Sequence, residues 1–245
     1  MSRLRLLLLG GTGEGRTLAL ALHRAGHDVT YSLAGRGGRP PLPCPVRVGG
    51  FGGAGGLADH LRAGGFHGLV DATHPFAATI SRHAAEAARR TGLPLWRWQR
   101  PPWSPGPGDR WQRCADVPAL LHALAGHRRI LFTVGRTAFA WAERRPPGQT
   151  WFVRALACPS DLPEGVHGLA ARGPFSEAKE LDLMRRLRVD ALVSKDSGGE
   201  ATRAKLDAAR RLGLPVYLLA RPTPPEYGQP VSDLKALLTA LEAIR

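Results

Sequence analysis

The sequence predicts an α/β protein with mainly parallel sheets, arranged as two similar lobes, on three observations. Short apolar runs alternate with longer stretches of helical periodicity along all 245 residues, as expected of parallel strands joined by crossover helices. One stretch, WQRPPWSPGPGDRW at residues 98–111, breaks that alternation, because its prolines remove donors and fix φ. The first apolar run passes directly into a glycine cluster and then a helical pattern, LLLLGGTGEGRTLALAL at residues 6–22.

Before the break, strands are expected at residues 5–9, 28–33, 46–48, 68–71 and 93–98, with helices at 14–25, 55–63 and 75–91. In the last helix Phe76, Ile80, His83, Ala84 and Ala87 share a face, and arginines in its final turn complement the helix dipole. After the break, strands are expected at residues 129–134, 150–154, 166–170, 191–194 and 215–219. Helices fit residues 117–125, 176–187 and 200–212, and an amphipathic helix over 232–244 has Ser232 as its expected N-cap. The lobes are therefore placed at residues 1–103 and 104–245, with Trp96, Trp98, Trp103 and Trp111 expected to pack them together or, as the alternative, to stack on a flat ligand or on bases.

Composition narrows the class of function. No apolar run approaches the roughly 20 residues of a bilayer span, and the first run is too short for a signal-peptide core, so the cytoplasm is expected. Cys44, Cys114 and Cys158 lack any C-x-x-C spacing, which suggests neither a disulfide framework nor a metal site. The net charge of +14 attracts anions, whether nucleic acid or a small polyacid. Compositional drift is the alternative source of that charge, since 30 arginines stand against 4 lysines. The cations are spread over both halves with no recognition motif, so no nucleic-acid partner is expected. A monomer is compatible with the sequence, which does not set the oligomeric state.

In open α/β sheets ligands bind beyond the carboxyl ends of the strands, so the residues just after each strand are the ones to weigh. Gly11, Thr12, Gly13, Glu14 and Gly15 follow the first strand, where glycines permit a tight turn and backbone N–H groups meet an anion at a helix start. Read as G-x-G-x-x-G from Gly11, the match is imperfect, with Arg16 in the sixth position. The second strand ends in Ser32, Arg36 and Arg39 with no carboxylate, which favours NADPH over NADH, unless the arginines are simply solvated. After the fourth strand, Thr73 is read as a helix cap and His74 as a proton donor or carboxylate partner. The second half offers Arg136, Arg172, Lys195, Asp196, Ser197, Gly198 and Arg221 on corresponding loops. The Lys195–Asp196 loop reads equally well as an anion site or as a salt-bridged turn that caps a helix.

Four stretches in order, LLLGGTGEGRTLA, DATHPFA, LPLWRWQRPPW and VSKDSGGEATRAKLDAARRLGLPVYLLARP, together resemble the precorrin-6A reductase family of cobalamin biosynthesis. The resemblance implies two Rossmann-like lobes with an active-site cleft between them. It also implies hydride transfer from NADPH to the polycarboxylate tetrapyrrole precorrin-6A, giving precorrin-6B, and it accounts for the positive charge. On that basis Gly11, Thr12, Gly13, Glu14 and Gly15 hold the pyrophosphate, with Ser32, Arg36 and Arg39 toward the adenosine phosphate. Arg16, Thr73, Arg136, Arg172, Lys195, Ser197, Gly198 and Arg221 face the substrate, and His74, followed by Lys195 and Asp196, is first choice for proton transfer. The alternatives are a reductase of cobalt-precorrin-6A and a non-catalytic basic protein that binds NADPH or nucleic acid.

Overall fold

The computed structural model describes residues 3–35 and 38–244. The chain forms two compact units, one of Met1–Pro101 with Pro222–Arg245 and one of Pro102–Arg221. Each is built on a six-stranded parallel sheet flanked by helices.

In the first unit the chain runs β1 (Arg5–Leu9), α1 (Gly13–Arg24), β2 (Asp28–Leu33), β3 (Val46–Val48), α2 (Gly53–Ala63), β4 (Gly68–Asp71), α3 (Ala78–Thr91) and β5 (Leu95–Trp98). It closes with β12 (Gln229–Val231) and α7 (Leu234–Glu242), and the strand order is β12-β5-β4-β1-β2-β3. Period two in β1 sends Leu6 and Leu8 to the core under α1 and α7, and Leu7 and Leu9 to the core under α2 and α3. All four leucines are buried, each contributing roughly 1.5–3 kcal/mol.

The second unit contains β6 (Arg110–Cys114), α4 (Val117–Ala123), β7 (Arg129–Phe132), β8 (Thr150–Ala155), β9 (Val166–Ala170), α5 (Glu177–Arg186), β10 (Ala191–Lys195), α6 (Ala204–Arg211) and β11 (Pro215–Leu219). Its order is β6-β11-β10-β7-β8-β9. Both units thus reverse strand order at the same place, between β1 and β4 in one and between β7 and β10 in the other. Each adds one edge strand outside that pattern: β12 joins the first unit after the chain has passed through the second, and β6 opens the second unit.

Several expectations need correction. Residues 222–245 belong to the first unit, because β12 pairs with β5 from Gln229 opposite Trp96 to Val231 opposite Trp98. Neither β6 nor β12 was expected. Both are short, polar edge strands, and Pro230 is tolerated only at an edge. The tryptophans pack within units: Trp96 and Trp98 in the first core, Trp103 and Trp111 in the second. The segment 200–212 divides into a 3-10 turn, Glu200–Thr202, and α6, and a further 3-10 helix occupies Gly135–Arg144. Asp233, not Ser232, caps α7 by accepting from the Ala236 N–H.

Candidate functional site

In the first unit the switch in strand order puts the β1 glycine turn beside the loop after β4. Three glycines shape the turn after β1 in different ways. Gly11 has φ +114, a left-handed conformation that L side chains rarely adopt. Gly13 is exposed at the start of α1. Gly15 is buried, and a Cβ there would lie 3.3 Å from the Ala72 carbonyl oxygen and 3.4 Å from Gly10 Cα. Gly15 therefore does the close-packing job that the G-x-G-x-x-G reading assigns to the position of Arg16.

Thr12 caps α1: its Oγ1 accepts from Gly15 N–H at 3.0 Å and donates to the Ala72 carbonyl at 3.2 Å, which ties the turn to the β4 loop. Tyr31 covers the turn from β2, its hydroxyl accepting the Gly11 N–H at 2.8 Å. The N–H groups of Gly13 and Glu14, in the first turn, have no intrahelical acceptor. Glu14 pairs with Arg100 at 3.2 Å, which places a cation at the helix start that the sequence reading missed. Burial holds the Arg100 pKa below its ordinary value, against the pull of Glu14.

Two cavities share Gly10, Gly11, Leu33 and Ala34. The larger, about 620 Å³, is also lined by Ser32, Phe51, Thr73, His74 and His83. Helices α2 and α3 begin at its wall, and neither has a side-chain cap. The smaller, about 470 Å³, brings Arg16 and Arg39 together with Tyr31. Arg16 thus shares a cavity with an adenosine-phosphate candidate rather than standing apart from it. Arg36 lies outside the described residues.

Thr73 does not cap a helix. Asp71 Oδ1 accepts from both Thr73 N–H, at 3.0 Å, and Thr73 Oγ1, at 2.6 Å, and α3 begins only at Ala78 with Ala77 as its N-cap. This turn presents His74, whose Nδ1 accepts the Phe76 N–H at 3.2 Å. That bond puts the proton of the neutral ring on Nε2.

In the second unit the Lys195–Asp196 loop is anchored from inside. Asp196 is 4% exposed, and its Oδ2 meets Arg113 Nε at 2.9 Å. Arg221 Nε donates to the Asp196 carbonyl at 2.7 Å. Asp196 is thus ion-paired with Arg113 of β6, and the turn and helix that follow the loop start without a side-chain cap. Ser197 and Gly198 are buried, whereas Lys195 is half-buried, with its pKa lowered by burial. Arg136, in the 3-10 helix that follows β7 rather than in a loop, and Arg172, in the loop after β9, are both exposed.

Sequence reasoning missed a second cluster in this unit. Arg154 on β8 gives Nη1 to both carboxylate oxygens of Glu180 on α5, at 2.8 and 2.9 Å. Lys205 on α6 donates to the Thr202 carbonyl at 2.9 Å. These three side chains line a cavity of about 220 Å³ with Gly135, Gly173 and Phe175, so two of the loops flagged in the sequence do border it. The available signal was a charge inside the otherwise apolar strand TWFVRA, which burial requires to be paired.

A family model described as precorrin-6x reductase CbiJ/CobK matches residues 5–242. The chain belongs to the precorrin-6x reductase CbiJ/CobK family. A precorrin-6A reductase of Rhodococcus erythropolis is 48% identical over 236 residues, 94% of each chain. The solved structure of a CobK precorrin-6A reductase matches with a TM-score of 0.87 at 36% identity, covering 98% of this chain and 97% of that one. A cobalt-precorrin-6A reductase of Priestia megaterium is 28% identical, over 96% of this chain and 97% of the relative. This member of the precorrin-6x reductase family is accordingly a reductase of cobalamin biosynthesis. Among the described residues no helix is long and apolar enough to cross a membrane.

Proposed function

We propose that the chain reduces precorrin-6A to precorrin-6B with NADPH, working in the cytoplasm. The observation that carries the cofactor reading is the Gly10–Gly11 turn flanked by two cavities, one holding Arg16 and Arg39 and the other His74. A dinucleotide bridges such a turn, with its pyrophosphate at the first-turn N–H groups of α1. When bound, NADPH supplies the hydride that, with one proton, saturates a double bond of the substrate. Arg39 and Arg16 hold the adenosine phosphate by charge-assisted bonds. Ser32 borders the larger cavity, and the uncapped starts of α2 and α3 aim positive dipole ends into it.

His74 is the proton donor in this reading, with its Nε2 proton directed by the Phe76 bond. Thr73 holds its loop in place, and Asp196 serves the same purpose for Lys195. Lys195, Arg136, Arg172, Ser197, Gly198 and Arg221 form the substrate side, where positioning of a large polyacid supplies much of the catalysis. The higher identity to the precorrin-6A relative than to the cobalt-precorrin-6A relative favours the metal-free substrate.

The test is anaerobic NADPH oxidation with precorrin-6A, run beside NADH and beside cobalt-precorrin-6A. Turnover with NADPH and the metal-free ring is expected, and turnover of neither tetrapyrrole overturns the reading. Arg39→Ala should weaken NADPH about tenfold and leave NADH nearly unchanged, a loss of about 1.4 kcal/mol; equal losses remove Arg39 from the phosphate. His74→Ala with an unchanged rate removes His74 from proton transfer.

A further inference from the structure

One cavity of the second unit is lined by two buried cations, Arg154 and Lys205, and one buried carboxylate, Glu180. Arg154 and Glu180 neutralise each other, and that pair engages only Nη1 of the guanidinium. Lys205 is 6% exposed, and its hydrogen bond goes to an uncharged acceptor, the Thr202 carbonyl. Its ammonium lies 5.3 Å from the Trp103 ring centroid. An aromatic face eases a buried cation but does not neutralise it. A buried ammonium without an ion partner is costly, and Lys205 lines an open cavity rather than solid packing.

That cavity sits beyond the carboxyl ends of β7 and β8, the end of a parallel sheet where ligands bind. At about 220 Å³ it is several times the roughly 30 Å³ that a water occupies in the liquid, enough for a short acidic arm but not for a macrocycle. Phe175 stacks under the Arg154 guanidinium at 4.1 Å, which holds that group rigid at the wall.

We propose that this cavity is a carboxylate-binding subsite, in which Arg154 and Lys205 grip one acetate or propionate arm of the tetrapyrrole. Naming the arm rests on the reading of the chain as a precorrin-6A reductase; the carboxylate chemistry does not. The charged groups facing Lys205 are Arg154 from β8 and Glu180 from α5. Burial, reinforced by Arg154 and opposed by Glu180, lowers Lys205 from 10.5 to about 7. At neutral pH the empty site therefore alternates between neutral and charged amine. An arriving carboxylate supplies the missing negative charge, and binding takes up a proton.

The test is calorimetric titration of the whole protein with propionate in two buffers of different ionisation heat. For a group near 7, uptake of about half a proton at pH 7 and nearly one at pH 8 is expected. Lys205→Arg should keep propionate binding and abolish the uptake, whereas Lys205→Met should weaken propionate at least tenfold. In turnover, propionate should compete with the tetrapyrrole and not with NADPH, and Lys205→Met should raise the tetrapyrrole KM about tenfold, with the larger effect on KM than on kcat.

Absence of both binding heat and proton uptake in the unmodified protein overturns the subsite, as does an unchanged tetrapyrrole KM in Lys205→Met. Propionate binding with proton uptake but no competition overturns the assignment to a substrate arm and leaves a site for a free carboxylate. Because calorimetry needs no turnover, a chain that binds propionate in this way yet reduces neither tetrapyrrole refutes the reductase reading while supporting the subsite.

Discussion

At the strand ends of the first unit the chain places glycine and bare backbone: Gly11 in a left-handed turn, Gly15 pressed against the Ala72 carbonyl, and two helices that begin without side-chain caps. At the corresponding ends of the second unit it places titratable side chains, with buried Arg154 against buried Glu180, exposed Arg113 against buried Asp196, and buried Lys205 over Trp103. The difference lies in what each site is suited to hold. Backbone N–H groups on a rigid turn suit a phosphate that must lie close to the main chain. Buried side-chain cations suit a carboxylate on a longer arm, and they hold that geometry at a cost in desolvation.

The comparison breaks most visibly at Arg154. Removing it leaves Glu180, 2% exposed, as an unpaired buried charge, so Arg154→Ala should cost about 3–5 kcal/mol. Thermal or urea unfolding reads that loss. The double variant Arg154→Met with Glu180→Leu should lose less than Arg154→Ala alone, since no carboxylate is then stranded and Lys205 can shed its proton. A double loss as large as the single would mean that packing, not charge, holds β8 to α5.

Next in size is the pH dependence of stability. The unfolded chain keeps Lys205 protonated up to about 10.5, while the folded chain releases that proton near 7. Between those values the unfolded state binds more protons, so this one group makes the protein more stable as pH rises from 7 toward 10.5. Lys205→Met should raise Tm, by more at pH 6 than at pH 10, and flatten that slope. A slope that survives the substitution would assign it to other groups.

The smallest expected effect sharpens the other side of the comparison. Thr12→Ala removes an N-cap and the link to Ala72, and should cost about 1 kcal/mol. Because the glycine turn is anchored by that hydroxyl, dinucleotide affinity should fall with it. Asp233→Ala, an N-cap on α7 that lines neither cavity beside the glycine turn, should cost a similar amount of stability and leave cofactor affinity unchanged. Matching affinity losses in both variants would show that the turn does not depend on its cap.

Local pattern determined much of this protein. The alternation of strands and helices, the glycine turn, the β4 loop with Thr73 and His74, and the Lys195–Asp196 loop are all written in consecutive residues. Their physical causes are local as well: side-chain periodicity, left-handed glycine and chain-breaking proline. Tertiary structure decided what depends on residues far apart in sequence. The polar strands β6 and β12 exist only because β11 and β5 offer them an edge, and Tyr31 reaches the Gly11 N–H across 20 positions. The Arg154, Glu180 and Lys205 cluster draws on three elements, in which each charge read alone resembles a solvated one. Burial is a property of the assembled fold, and it turns those ordinary charges into partners of one another.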